Sequence, residues 1–160
     1  MARLVAVLAL VGTAAAVFVA ISSVDSTSEL TGDEAQGAME RLAEANRTVS
    51  RRLNELAPGA SPRGAREAVR SAAALTQQLG TDLGGEGGLA NRLEDVLEAE
   101  TAYLDALGST LANPNSALRG RVGERGNALR EALRNIPGGD PKAVEGGAEL
   151  VIYSEARAEE

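Results

Sequence analysis

Asn46, Thr76, Glu100 and Arg125 are the polar residues whose positions in this chain invite a chemical reading. Each falls on an otherwise apolar stripe, one in each of four helical segments. Counting residues from the turns brings all four to within about one helical turn of a common level, at ~1.5 Å per residue. An amide, a hydroxyl, a carboxylate and a guanidinium at one level describe a buried polar layer, with Glu100 and Arg125 as an ion pair beside Asn46 and Thr76. Such a layer costs stability relative to apolar packing, yet it can set helix register or line a ligand pocket. The plainer alternative leaves Glu100 and Arg125 at the edge of their stripes, reaching water along their stems.

Other constellations are thinner. Glu94, Asp95 and Glu98 offer carboxylates of the kind glycoside chemistry pairs, but no aromatic platform for a sugar accompanies them. The GGEGG stretch at 84–88 shares only glycine with a phosphate-binding loop; no Lys-Ser/Thr follows, and Glu86 would repel phosphate. The acidic residues show no EF-hand spacing. The chain has no Cys, His or Trp, and its aromatics are Phe18, Tyr103 and Tyr153. Ordinary zinc, haem and iron–sulfur ligation is therefore missing, as are the common general base and nucleophile–base pairs. We expect no enzyme, no cofactor and no resident metal.

Charge narrows the partners. A net charge of −7 argues against nucleic acid, whose binders carry a basic face. It also disfavours adsorption to anionic lipid through a polybasic patch. Arg outnumbers Lys fifteen to one among many Ala and Gly, the mark of GC-rich coding and of a high-GC bacterium.

The elements that must position the polar residues are helices. Met39, Leu42, Asn46, Val49, Leu53 and Leu56 alternate three- and four-residue steps, a coiled-coil type of seam on a helix over about 33–57. Pro58-Gly59 stops it. Ser61 and Pro62 supply an N-cap and a first residue for a second helix over 62–79, closed by Gly80 as the residue beyond its C-cap. Leu89, Leu93, Val96, Leu97, Leu104, Leu107 and Leu111 make the widest apolar face, predicting a third helix over 89–112. Ser116 caps a fourth over 116–136, which carries Leu118, Val122, Leu129, Leu133 and Ile136. Asp140-Pro141 opens a fifth, weakly patterned helix over 142–157. Short connections imply antiparallel neighbours, hence an all-α, up-down four-helix bundle over 33–160. Net charges of −4 on helix three and +3 on helix four would attract across their edges, and Gly120, Gly123 and Gly126 step by three along helix four, which calls for close packing, a kink or a tolerant surface.

The N-terminus is of another kind. Leu4 to Ile21 are 18 residues without a charge, enough helix to cover ~27 Å of hydrocarbon. Signal-peptide apolar regions run shorter, about 7–15 residues, so length favours an uncleaved anchor. Arg3 before the segment and acids after it place the N-terminus in the cytoplasm and the bundle outside. Cleavage after Ala16 or Ser22 is the alternative and would release a secreted bundle. Residues 1–22 thus read as anchor or signal peptide and 23–32 as a polar linker. Gly12, Ala16 and Ala20 form a small-residue face that would let two such helices pair into a homo-oligomer; chance spacing in an Ala-rich segment is the plainer account.

The phrase ETAYLDALGSTLANPNSALRGRVGERGNALREAL is similar to helical hairpins in a type of uncharacterised actinobacterial protein. Those proteins have a short cytoplasmic start, one apolar helix and an extracytoplasmic all-helical domain. The resemblance is one of pattern and carries over no catalytic or binding residue. More distantly, an anchored four-helix bundle resembles the periplasmic ligand-binding domains of chemoreceptors, whose second membrane helix has no counterpart in these 160 residues. The expected function is non-enzymatic. The chain meets the lipid bilayer through residues 4–21 and displays a bundle for an envelope protein partner, or, once cleaved, binds a small ligand or partner as a secreted protein.

Overall fold

The computed structural model of the chain describes residues 29–56, 61–83 and 85–144. They form four α-helices, α1 Gly32–Asn54, α2 Arg63–Asp82, α3 Gly88–Ala112 and α4 Ser116–Arg134, followed by a 3-10 turn, Pro141–Ala143. No strand occurs among the described residues.

Helix α1 starts where Thr31 and Glu34 close a capping box. The Thr31 N–H donates to Glu34 Oε2 at 3.0 Å, and the Glu34 N–H donates to Thr31 Oγ1 at 3.3 Å. Two otherwise orphaned donors are thereby satisfied. Asp33 and Glu34 in the first turn and Arg51 and Arg52 in the last both complement the helix dipole. The helix ends at Asn54, about three residues short of the expected 57, with Glu55 as its C-cap.

Helix α2 corrects the sequence reading at both ends. Ser61 is not its cap: Pro62 holds that position and makes no side-chain bond. Gly80 does not stop the helix, which runs on to Asp82. The extra turn lets Leu83 join fully buried Leu79 against the core. Thr81 Oγ1 donates to the Gln77 carbonyl, and Gln78 Nε2 to Asp82 Oδ2, along that same turn.

Helix α4 is capped by Asn115 rather than Ser116, since Asn115 Oδ1 accepts the Leu118 N–H at 2.9 Å. Ser116 becomes the first helical residue, although Asn and Ser serve equally well as caps. The helix stops at Arg134, two residues before the expected end, and Ile136 is buried just beyond it.

The packing order follows the chain. Arg66 meets Leu111, Val69 faces Gly108, and Gly80 faces Leu97, as antiparallel α2 and α3 require. Arg66 donates through Nε at 3.3 Å and Nη2 at 2.7 Å to the Leu111 carbonyl, satisfying an orphaned acceptor at the C-terminus of α3. Helix α3 packs between α2 and α4, and α1 packs on α2 while touching α3 across a narrow diagonal. Leu42, Val49, Leu53, Leu79, Leu93, Leu104, Leu107, Leu111 and Leu129 fill the core.

The side between α4 and α1 is closed by residues 137–144. Gly138 takes φ +78, a left-handed conformation that favours glycine. A Cβ on Gly139 would overlap the Leu133 carbonyl. Asp140 Oδ1 accepts the Lys142 N–H and starts the 3-10 turn. The strap is tied to both helices: Arg47 to Asp140 at 3.0 Å, Ser50 Oγ to the Ala143 carbonyl at 3.3 Å, and Arg130 to the Val144 carbonyl at 2.7 Å. Where the fifth helix was expected to begin there is this turn; residues 145–160 lie outside the described residues.

Residues 1–28, including the apolar segment 4–21 and its Gly12, Ala16 and Ala20, also lie outside them. Among the described residues no helix is long and apolar enough to cross a membrane.

Candidate functional site

Glu100 is the one Asp, Glu, Lys or Arg among the described residues that is fully buried, at 0% exposure. It sits mid-way along α3, between Val96 and Leu104 on the inward face. Across the diagonal, Asn46 of α1 is 2% exposed, and its Nδ2 donates to Glu100 Oε2 at 3.0 Å. The seams explain why they meet: Asn46 continues the Met39–Leu42–Val49–Leu53 stripe, and Glu100 the Leu93–Val96–Leu104–Leu107 stripe.

The pair is incompletely satisfied. Glu100 Oε1 and Asn46 Oδ1 have no hydrogen-bond partner among the described residues. Burial removes the carboxylate from water and pushes the Glu100 pKa up to about 7, the Asn46 bond pulling the other way and offsetting only part of the rise. The 3.0 Å separation suits both protonation states. A carboxylate accepts from the amide nitrogen, whereas a carboxylic acid, with the amide turned over, donates to the amide oxygen.

The other two residues of the expected layer do not join the pair. Thr76 is buried at 2%, but its hydroxyl donates to the Ala72 carbonyl of its own helix at 3.0 Å. Arg125 is exposed and makes no ion pair with Glu100. The inward positions of α4 are Val122, Gly126, Leu129 and Leu133, which leave residue 125 one step round the helix. At that level Gly126 faces inward because the ring of Tyr103 fills the space, Cε2 lying 3.3 Å from where a Cβ would stand. Gly120 and Gly123 have nothing within 4 Å of such a Cβ. A step of three residues turns a helix by roughly 60° short of a full circle, so three such glycines cannot all face one neighbour. The contact distances mark Gly126 and Tyr103 as the packed pair.

The expected attraction between acidic α3 and basic α4 is not expressed as contacts. No carboxylate of α3 forms an ion pair among the described residues; ion pairs form instead at Arg47 with Glu44 and Asp140, and at Arg52 with Glu55. Nor do three acidic side chains converge on a point where a metal ion could sit among the described residues.

A groove of about 520 Å³ runs between α2 and α3, floored by Leu93 and Leu97 and edged by Glu94, Glu98 and Thr101. Neither Glu100 nor Asn46 lines it. The carboxyl with the most altered acidity is thus closed off from this groove. What the Glu100–Asn46 arrangement can do chemically is take up or release a proton inside the core.

Comparison of the chain with protein-family models, with curated proteins and with solved structures finds no match.

Proposed function

We propose that this protein is a non-enzymatic helical-bundle module, held at a membrane by residues 4–21 and displayed outside the cytoplasm to bind a protein partner of the cell envelope. The observation that carries the reading is the run of 18 uncharged residues, with Arg3 before it and Asp25, Glu29, Asp33 and Glu34 after it. The capping box at Thr31 and Glu34 supports it by marking where the first helix of the bundle begins, at the end of the polar linker 23–32. The sealed Glu100 carboxyl supports the non-enzymatic role, because a substrate in the α2–α3 groove does not reach it. Pairing of two apolar segments along Gly12, Ala16 and Ala20 would make the display a homo-oligomer.

Small residues at Ala20 and Ser22 favour a second reading, a secreted bundle freed by signal peptidase. Membrane fractionation with N-terminal sequencing separates the two. The anchor reading expects the protein in the membrane fraction with its original N-terminus. A soluble product beginning at Ser23 would overturn it. Co-purification from solubilised membranes tests the interaction role, and a monomer that brings down no partner counts against it.

A further inference from the structure

The hydrogen bond from Asn46 to Glu100 crosses the diagonal of the bundle and holds the fully buried ionisable side chain found among the described residues. We propose that Glu100 and Asn46 form a proton-operated latch between α3 and α1, closed when the carboxyl is protonated and released when it ionises. Several observations stand behind this. Both side chains are withdrawn from water, and each leaves one oxygen unpaired among the described residues. An ionised carboxylate there has a single donor and no counter-charge, a condition that burial makes costly.

Among the described residues no second buried charge compensates it. The buried positions of α1, α2, α4 and the strap carry no Asp, Glu, Lys or Arg among the described residues. Half-buried charged groups are engaged elsewhere. Arg66 of α2 bonds the Leu111 carbonyl, Arg130 of α4 bonds Val144 and Asn127, and Asp140 of the strap bonds Arg47 of α1. Arg119 of α4, also half-buried, has a contact of its own. On α3 itself Tyr103 lies one turn further along, packed on Gly126. The element that can part from Glu100 is α1, which packs mainly on α2 and meets α3 only at this narrow diagonal. Its release lets water reach the carboxylate.

The sign follows from the raised pKa. Between the ordinary carboxyl value of 4.5 and about 7, the closed state holds a proton that the open or unfolded chain has given up. The Glu100 contribution to stability is therefore complete below pH 4.5 and is lost as pH rises through about 7. The shift corresponds to two to three orders of magnitude in the closed-to-open ratio. The chain contains no His, so no side chain with an ordinary pKa in that window competes.

The test uses the full-length chain in neutral detergent, following thermal unfolding and α1 amide exchange, corrected for its intrinsic pH dependence, from pH 5 to 8. Wild type is expected to lose stability and α1 protection with rising pH. Glu100→Gln, which keeps the shape and the bond to Asn46, is expected to remove that slope and to exceed wild type above pH 7. An equal slope in both proteins would overturn the latch. Direct carbon-13 NMR titration of the Glu100 carboxyl keeps the idea testable should the variant misfold: a midpoint near 4.5 overturns it and one near 7 supports it. Asn46→Ala removes the bond that favours the ionised form and is expected to move that midpoint further up; an unchanged midpoint excludes Asn46 as the latch partner.

Discussion

Three glycines at equal spacing on one helix give the packing its sharpest check. Gly120 and Gly123 are exposed, and a methyl added to either meets nothing within 4 Å. Each lies inside α4, where Gly costs about 1 kcal/mol relative to Ala through backbone entropy. The double substitution Gly120→Ala with Gly123→Ala should then stabilise the bundle by about 2 kcal/mol. For a chain of this size that amounts to a rise of roughly 6 °C in Tm. Gly126 is buried, and its added Cβ would stand 3.3 Å from Tyr103 Cε2 and 3.6 Å from Cδ2. Tyr103 is itself only 3% exposed, so its ring must shift within the packed core to admit the methyl. Overpacking of this kind costs roughly 1–3 kcal/mol, which outweighs the helix gain, so Gly126→Ala should destabilise by about 1 kcal/mol. Thermal and denaturant unfolding followed by circular dichroism would measure all three. A Gly126→Ala protein as much stabilised as Gly120→Ala would refute the placement of Tyr103 against α4.

The capping box makes a prediction opposite in pH sign to that of Glu100. The Thr31 side chain and backbone bonds hold the Glu34 pKa below its ordinary value, so its contribution is present above pH 4.5 and lost as pH falls through the depressed value. Glu34→Gln should flatten that acid-side loss, and Thr31→Ala should cost about 1 kcal/mol at neutral pH by denaturant unfolding. Among arginines, Arg125→Ala is expected to stay within about 0.5 kcal/mol of wild type, because the residue is exposed. Arg66→Ala should lose about 1–2 kcal/mol, since it strips the charged donor from the Leu111 carbonyl at the end of α3.

The helices were readable wherever an apolar stripe ran long enough to average out single exceptions. Leu89 to Leu111 is the plainest case, and α3 begins within a residue of where that stripe starts. Ends were harder, for a local reason. Gly80 is an ordinary stop signal, but burying Leu83 against the core favours one more turn, and only the tertiary neighbour reveals that gain. The same limit applies to the polar residues. Asn46 and Glu100 sit squarely within their stripes, whereas Arg125 lies one residue beside the Val122–Gly126–Leu129 line. A rotation of about 100° per residue turns that single step into exposure. Treating Gly126 as an inward position, not as a defect, would have moved the stripe and removed Arg125 from the layer. The strap left little trace in the sequence because its bonds, Arg47 with Asp140 and Ser50 with Ala143, join residues far apart in the chain.

That strap also decides where the ends of the described chain point. It leaves the foot of α4 beside Gln36, near the start of α1, and climbs along α1 until Ala143 meets Ser50. Fourteen residues of helix separate those levels, a rise of roughly 20 Å. The chain enters the bundle at its base and passes Val144 well up its flank. Ala143 and Val144 are therefore set off from the entry point by most of the height of α1. The strap thus carries the chain from the base of the bundle up the side between α4 and α1.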